Sequence, residues 1–92
     1  MRVVILASAR DDMDAIYAWI AKDAPHMADA VVARLIKSMR TFGHFPYIGH
    51  EGIEIGTFEW PVRKLPYVIL YRVNESSGVI TVEAIFHMPR ER

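Results

Sequence analysis

The stretch "KLPYVILYRV" (residues 64–73) carries the strongest strand signal in the chain. Alternate residues from Tyr67 to Val73 would share one face of a strand, and Val68, Leu70 and Arg72 would share the other. A strand in a small protein usually alternates apolar with polar side chains, because one face of its sheet is solvated. This strand is apolar on both faces until Arg72. The pattern therefore predicts that something covers the second face.

Composition limits the classes of protein to consider. The 92 residues are enough for a single domain, 1–92, and 52% of them are apolar, which suits a packed core. Eleven basic residues balance eleven acidic ones, so net charge gives no case for nucleic acid or membrane binding. The absence of cysteine excludes disulfides and thiolate zinc sites, and the histidines lack metal-ligand spacing, so we expect no metal and no cofactor. The apolar run near Met1 is too short for a signal peptide or a membrane span, which predicts a cytoplasmic protein.

The first half of the chain predicts a strand followed by two helices. "RVVIL" (residues 2–6) is a β-branched strand, and Ser8 with Asp11 fits a capping box that would start a helix over roughly 9–22. The second helix lies within residues 22–43, with Pro25 in its first turn and Gly43 as its stop. Its predicted core stripe consists of Val31, Leu35, Met39 and Phe42. The short connection predicts an antiparallel helical hairpin.

The second half predicts a three-stranded meander after a loop over 44–55. The strands are residues 56–64, where Pro61 suggests a sheet edge or a bulge, then 66–73 and 79–87. In the last strand one set alternates against another: Ile80, Val82, Ala84 and Phe86 against Thr81, Glu83, Ile85 and His87.

These elements predict an α+β fold with the order β-α-α-β-β-β. The helical hairpin would pack on one face of a mostly antiparallel, four-stranded sheet. We expect the opposite face to carry Val68, Leu70 and Ile85, and to be covered by a partner.

Several segments together resemble the RelE/ParE family, the toxins of bacterial type II toxin–antitoxin pairs. The resemblance spans nearly the whole chain, and the segments are "ARDDMDAIYAWIAKDAP", "FPYIGHEG", "GTFEWPVRKLPYVILYRV" and "FHMPRER". No single segment is specific, but their joint occurrence in a chain of this length is considerably more so. The "D-x-x-P" after the first helix and the "PYVILYRV" strand look most like the ParE branch.

The resemblance implies different activities for the two branches. RelE-type members cut messenger RNA in the ribosome, whereas the best-studied ParE-type members poison DNA gyrase. Matched onto this chain, the paired lysines of the RelE-type site fall near Glu59 and Pro61, and an arginine is replaced by Val68. The C-terminal arginine is kept as Arg90, but the tyrosine beyond it has no counterpart before Arg92. Most of the nuclease site is therefore missing, which favours a non-enzymatic, ParE-like toxin.

Three functions stay open at this point. The first is a toxin that binds a protein target, with DNA gyrase as the family precedent, and that a cognate antitoxin neutralises. The second is a ribosome-dependent endoribonuclease with a rearranged site of Arg63, His87 and Arg90. The third is an inactive toxin that persists as an antitoxin-binding module.

The antitoxin of such a pair is a small DNA-binding protein whose C-terminal segment wraps the toxin. The candidate residues for contact with the antitoxin or target are Trp60, Arg63, Val68, Leu70, Arg72, Ile85, His87 and Arg90. Trp60 is either a core residue or an exposed anchor, and the arginines would pair with acidic residues of the antitoxin.

Overall fold

The chain forms one sheet with a helical hairpin on one side of it. The computed structural model describes residues 1–89, and its elements in chain order are β1 (Arg2–Ile5), α1 (Ala7–Ala21), α2 (Pro25–His44), β2 (His50–Glu51), β3 (Thr57–Pro61), β4 (Tyr67–Asn74) and β5 (Val79–His87). The strand order across the sheet is β1-β5-β4-β3-β2. Strands β2 to β5 pair antiparallel, and β1 pairs parallel with β5. The α+β class and the helical hairpin on one face are confirmed, but the sheet has five strands rather than four.

The additional strand, β2, lies inside the segment that the sequence predicts to be a loop. His50 and Glu51 pair with Glu59 and Phe58 of β3. Two exposed, polar residues carry no apolar alternation, so the sequence gives no strand signal there. β2 is short and does not extend alongside Pro61. Proline has no backbone N–H to donate, so it suits this unpaired edge of β3.

The two helices lie close to their predicted positions, but their ends differ. α1 begins at Ala7 after Leu6, without a side-chain cap, so the predicted capping box of Ser8 and Asp11 is wrong. α2 starts with Pro25 as expected and continues through Gly43 to His44. The predicted core stripe of α2 is confirmed, since all four members are at most 7% exposed: Val31, Leu35, Met39 and Phe42. Neither helix within residues 1–89 combines the length and the hydropathy that a membrane-spanning segment needs.

The core lies between the hairpin and one face of the sheet. Tyr67, Ile69 and Tyr71 of β4 point towards the helices and are 8%, 0% and 0% exposed. The Tyr71 ring stacks on Phe42 of α2 at 4.0 Å between centroids and on Phe58 of β3 at 5.6 Å. This strand therefore holds the helix layer and the sheet together.

A β-bulge in β5 changes which residues of that strand face the helices. Leu70 pairs with Ala84 but Tyr71 pairs with Val82, so Glu83 is an extra residue on the β5 side. One extra residue reverses the inward and outward alternation beyond it. Ile85 consequently faces the helices and is 4% exposed. The prediction that Ile85 lies on the open face is wrong, and the simple alternation over residues 79–87 does not hold.

Helix α1 completes the edge of β5 beyond the end of β1. The Ser8 hydroxyl donates to the Glu83 carbonyl oxygen at 2.6 Å, and the Asp12 carboxylate accepts from the Ile85 backbone N–H at 2.9 Å. Backbone groups at this edge would otherwise lack protein partners, because β1 ends at Ile5. Ser8 and Asp12 thus act on the sheet rather than on their own helix.

Candidate functional site

The sheet face opposite the helices is the candidate binding surface. Its central strand contributes Val68, Leu70 and Arg72, as the sequence predicts, and Phe86 of β5 pairs with Val68. Phe86 is 37% exposed and Leu70 is half-buried, so both offer apolar surface. Val68 is only 5% exposed because Pro61 and Phe86 flank it in register on the two sides. The accessible apolar surface therefore comes from Leu70 and Phe86 more than from Val68.

Arg72 lies on the same face and is held by its own chain. Its guanidinium contacts the Glu83 carboxylate at 2.9 Å and the Glu54 carboxylate at 3.0 Å, and it donates to the Ile55 carbonyl oxygen at 3.2 Å. The hydrogen bonds to Glu83 and Glu54 raise the pKa of Arg72 above its ordinary value. The side chain joins β4 to the bulge of β5 and to the loop between β2 and β3. It is consequently not a free cation available to a phosphate group.

Trp60 lies on the helix side of the sheet. It pairs in register with Ile69 and packs, half-buried, against the core. Of the two interpretations that the sequence leaves open, the structure supports a core-packing residue with one accessible side. The accessible side lines a groove beside α2, where Arg63 also lies.

The two described members of the alternative nuclease set, Arg63 and His87, lie away from the open face. Arg63 is exposed in the turn between β3 and β4, on the groove beside α2. His87 ends β5 on the helix side, with its ring edge-on to Tyr67 at 5.5 Å between centroids. Arg90 lies outside the described residues. On the open face itself, the exposed His50 of β2 neighbours Glu59 of β3 at the sheet edge.

This distribution limits the chemistry of the face. RNA cleavage needs cations that stabilise a phosphorane together with acid–base groups on the same surface. The cation beside Leu70 is Arg72, and two carboxylates already neutralise it. Within residues 1–89, no group of three or more His, Cys, Asp or Glu side chains converges as a metal site would. The described part of this face therefore presents apolar side chains beside an ion-paired arginine.

Sequence reasoning missed the residues that complete the sheet around this face. Ser8 and Asp12 bind the edge of β5, and Glu54 and Glu83 bind Arg72. Asp12 gave no separate signal, because Asp11 and Asp14 lie in the same helix turn and all three carboxylates suit a helix start. Glu54 gave no signal, since it lies in an irregular segment.

The fold matches solved toxins along almost its full length. A structure of the chromosomal ParDE toxin–antitoxin system from P. aeruginosa superposes with a TM-score of 0.84 at 18% identity, covering 97% of both chains. The isolated E. coli RelE toxin superposes with a TM-score of 0.71 at 14% identity. The match covers 98% of this chain and 86% of the RelE chain. A chain of the toxin–antitoxin complex RelBE2 of Mycobacterium tuberculosis superposes with a TM-score of 0.61 at 22% identity. The match covers 94% of this chain and 95% of that chain. The architecture is therefore that of the RelE/ParE-like toxins.

The sequence comparisons narrow the assignment. The profile of the family described as "ParE toxin of type II toxin-antitoxin system, parDE" matches residues 3–92. A protein of Sinorhizobium fredii named "Putative toxin Y4kP" is 34% identical over 70 residues, which are 76% of this chain and 73% of that protein. The chain belongs to the ParE toxin family of type II toxin–antitoxin systems, as the resemblance of its sequence predicts.

Proposed function

We propose that this toxin arrests growth by binding a protein target, DNA gyrase, and that it does not cut RNA. The single observation that carries the proposal is the character of the open sheet face. Leu70 and Phe86 make it apolar, and Arg72 beside them is already paired with Glu54 and Glu83. A surface of this kind gains affinity from burying apolar side chains in a protein complex. We name DNA gyrase because the best-studied toxins of the ParE branch poison it. A gyrase target would place the action of this toxin in the cytoplasm.

The loss of nuclease residues supports the same conclusion. Val68 stands where a RelE-type site has an arginine, and it is buried between Pro61 and Phe86. A valine in this position can neither bind a phosphate nor transfer a proton. Arg63 and His87, which the rearranged site would need, lie away from the open face.

Induction of the toxin in cells without its antitoxin tests the target. We expect growth to stop, plasmid supercoiling to change and total messenger RNA to stay intact. Supercoiling and transcript integrity are measured in the same culture at early times. Transcript cleavage within minutes, abolished by Arg90→Ala, would replace this proposal with the ribosome-dependent endoribonuclease. Growth that continues with both readouts unchanged would instead indicate an inactive antitoxin-binding module.

Neutralisation by a cognate antitoxin is the second part of the proposal. Two solved relatives, the ParDE system of P. aeruginosa and RelBE2 of Mycobacterium tuberculosis, are toxin–antitoxin systems, which makes an antitoxin the expected partner of this chain as well. A disordered antitoxin segment would bind by laying apolar side chains over Leu70 and Phe86. Since Arg72 is occupied by Glu54 and Glu83, such a segment would depend on apolar contact here more than on new ion pairs.

A further inference from the structure

A basic groove lies on the helix side of the molecule, away from the open sheet face. One wall is the exposed side of α2, with Arg34 and Lys37, and the other is the turn between β3 and β4, with Arg63 and Lys64. The groove has a volume of about 390 Å³, and Trp60 lies between the walls. It combines cations from two parts of the chain.

No acidic residue is among the described residues that line the groove. No Asp or Glu occurs between Ala30 and His50, or between Trp60 and Asn74. The fold packs these two segments against each other, so their cations gather although the chain as a whole has a formal charge of zero. Within the described residues, none of the four groove cations pairs with a carboxylate. The resulting field attracts anions to one side of a neutral protein.

The backbone of the turn favours a role for Lys64 beyond the fold. Lys64 has a φ of 66°, the left-handed region, and it is the non-glycine residue with this conformation among residues 1–89. This conformation is unfavourable for a residue that has a Cβ atom and almost free for glycine. A lysine in this conformation adds a cation to the lining of the groove, where a glycine would add none.

Arg34 is positioned in the groove in advance. Its guanidinium donates to the Arg63 carbonyl oxygen at 3.0 Å, which joins the two walls. Backbone hydrogen bonds also close the turn. The Val62 N–H donates to the Tyr67 carbonyl oxygen, and the Leu65 N–H donates to the Val62 carbonyl oxygen. The polar side chains that line the groove are cations, hydroxyls and one indole, a set that suits an anionic ligand.

We propose that this groove binds the phosphate backbone of a single-stranded nucleic acid. Cations arranged along a groove, with an aromatic side chain between them, are the combination that sequence-independent single-strand binding uses. The groove and the open face lie on opposite sides of the sheet. A single-stranded nucleic acid could therefore bind in the groove while a protein covers Leu70 and Phe86.

Fluorescence anisotropy of a labelled oligothymidine with the full chain tests the proposal. We expect binding at low salt whose logarithmic dependence on salt has a slope of about −3, since each of four phosphate contacts contributes about −0.7. Lys37→Gln should make the slope shallower by about 0.7 and weaken binding severalfold. Arg40→Gln is the matched control, because Arg40 is exposed on the same helix but does not line this groove.

Lys64 supplies a second test that separates binding from folding. Lys64→Gly removes the cation and relieves the backbone, so the urea midpoint should stay equal or rise while oligothymidine binding weakens. A purely structural lysine would leave binding unchanged in this variant. The proposal is overturned if oligothymidine does not bind at low salt, or if Arg40→Gln weakens binding as much as Lys37→Gln. Tighter binding of a polyglutamate peptide, with the same dependence on Lys37, would overturn it in favour of an acidic protein partner.

Discussion

The Tyr71 hydroxyl is a buried polar group whose two hydrogen bonds hold the segment after α2 to the sheet. It accepts from the Gly49 N–H at 3.0 Å and donates to the Pro46 carbonyl oxygen at 2.8 Å. Tyr71→Phe keeps the stacked ring but leaves both backbone groups without this partner. We expect a loss of about 1–3 kcal/mol in the free energy of unfolding, measured in urea. Tyr67→Phe is the control, because the Tyr67 hydroxyl makes no side-chain hydrogen bond within residues 1–89, and equal losses would contradict this account.

The same hydroxyl gives this substitution a pH signature. Burial raises the pKa of Tyr71, and the hydrogen bond from Gly49 lowers it in part. A raised pKa in the folded state means that the stabilising contribution is complete below the unfolded value of about 10 and is lost as pH rises through the folded value. The difference in stability between the wild-type chain and Tyr71→Phe should therefore shrink above about pH 10. A difference that stays constant into this range would show that the phenol does not titrate with unfolding.

The bulge at Glu83 is the feature of a single strand that most affects the candidate surface. It turns Ile85 into the core, at 4% exposed, and Phe86 outward, at 37% exposed. We expect Ile85→Asp to prevent folding, because it buries a carboxylate among apolar side chains, and Phe86→Asp to leave the fold intact. Circular dichroism and urea unfolding of the two variants measure the difference. An unfolded Phe86→Asp beside a folded Ile85→Asp would mean that β5 has the unbroken alternation and no bulge.

The elements differ in how well their sequences predict them. α2 and β4 are predictable because long apolar patterns with a period near 3.6 or 2 leave few alternatives. β2 is not predictable, since two polar residues pair only because β3 is already in place. The start of α1 is misassigned because Ser8 and Asp12 serve β5, which lies more than 70 residues away in the chain. A local sequence pattern does not reveal a hydrogen bond between residues that lie so far apart in the chain.

The arrangement of the whole molecule explains which part of the candidate site could be foreseen. Val68 and Leu70 follow from the alternation of one strand, so their face is predictable before the structure is known. The basic groove is not predictable, because Lys37 and Lys64 come together only when α2 packs beside β3. A formal charge of zero conceals this separation of charge over the surface. Composition excludes nucleic acid only for a protein whose charges are evenly spread.

The effect of Leu70→Glu depends on which face of the sheet the helices cover and which face an antitoxin covers. Leu70 is half-buried on the side away from the helices, so a carboxylate there stays in contact with water and the chain should fold. If an antitoxin segment covers this face, the charge would be buried against apolar side chains, and we expect affinity to fall at least tenfold, or about 1.4 kcal/mol. Calorimetric titration of the purified antitoxin into each toxin variant measures the loss. Ser76→Glu adds the same charge in the exposed turn between β4 and β5 and should bind as the wild-type chain does. A folded Leu70→Glu variant with unchanged affinity would show that the antitoxin binds elsewhere and that the apolar second face of β4 serves another partner.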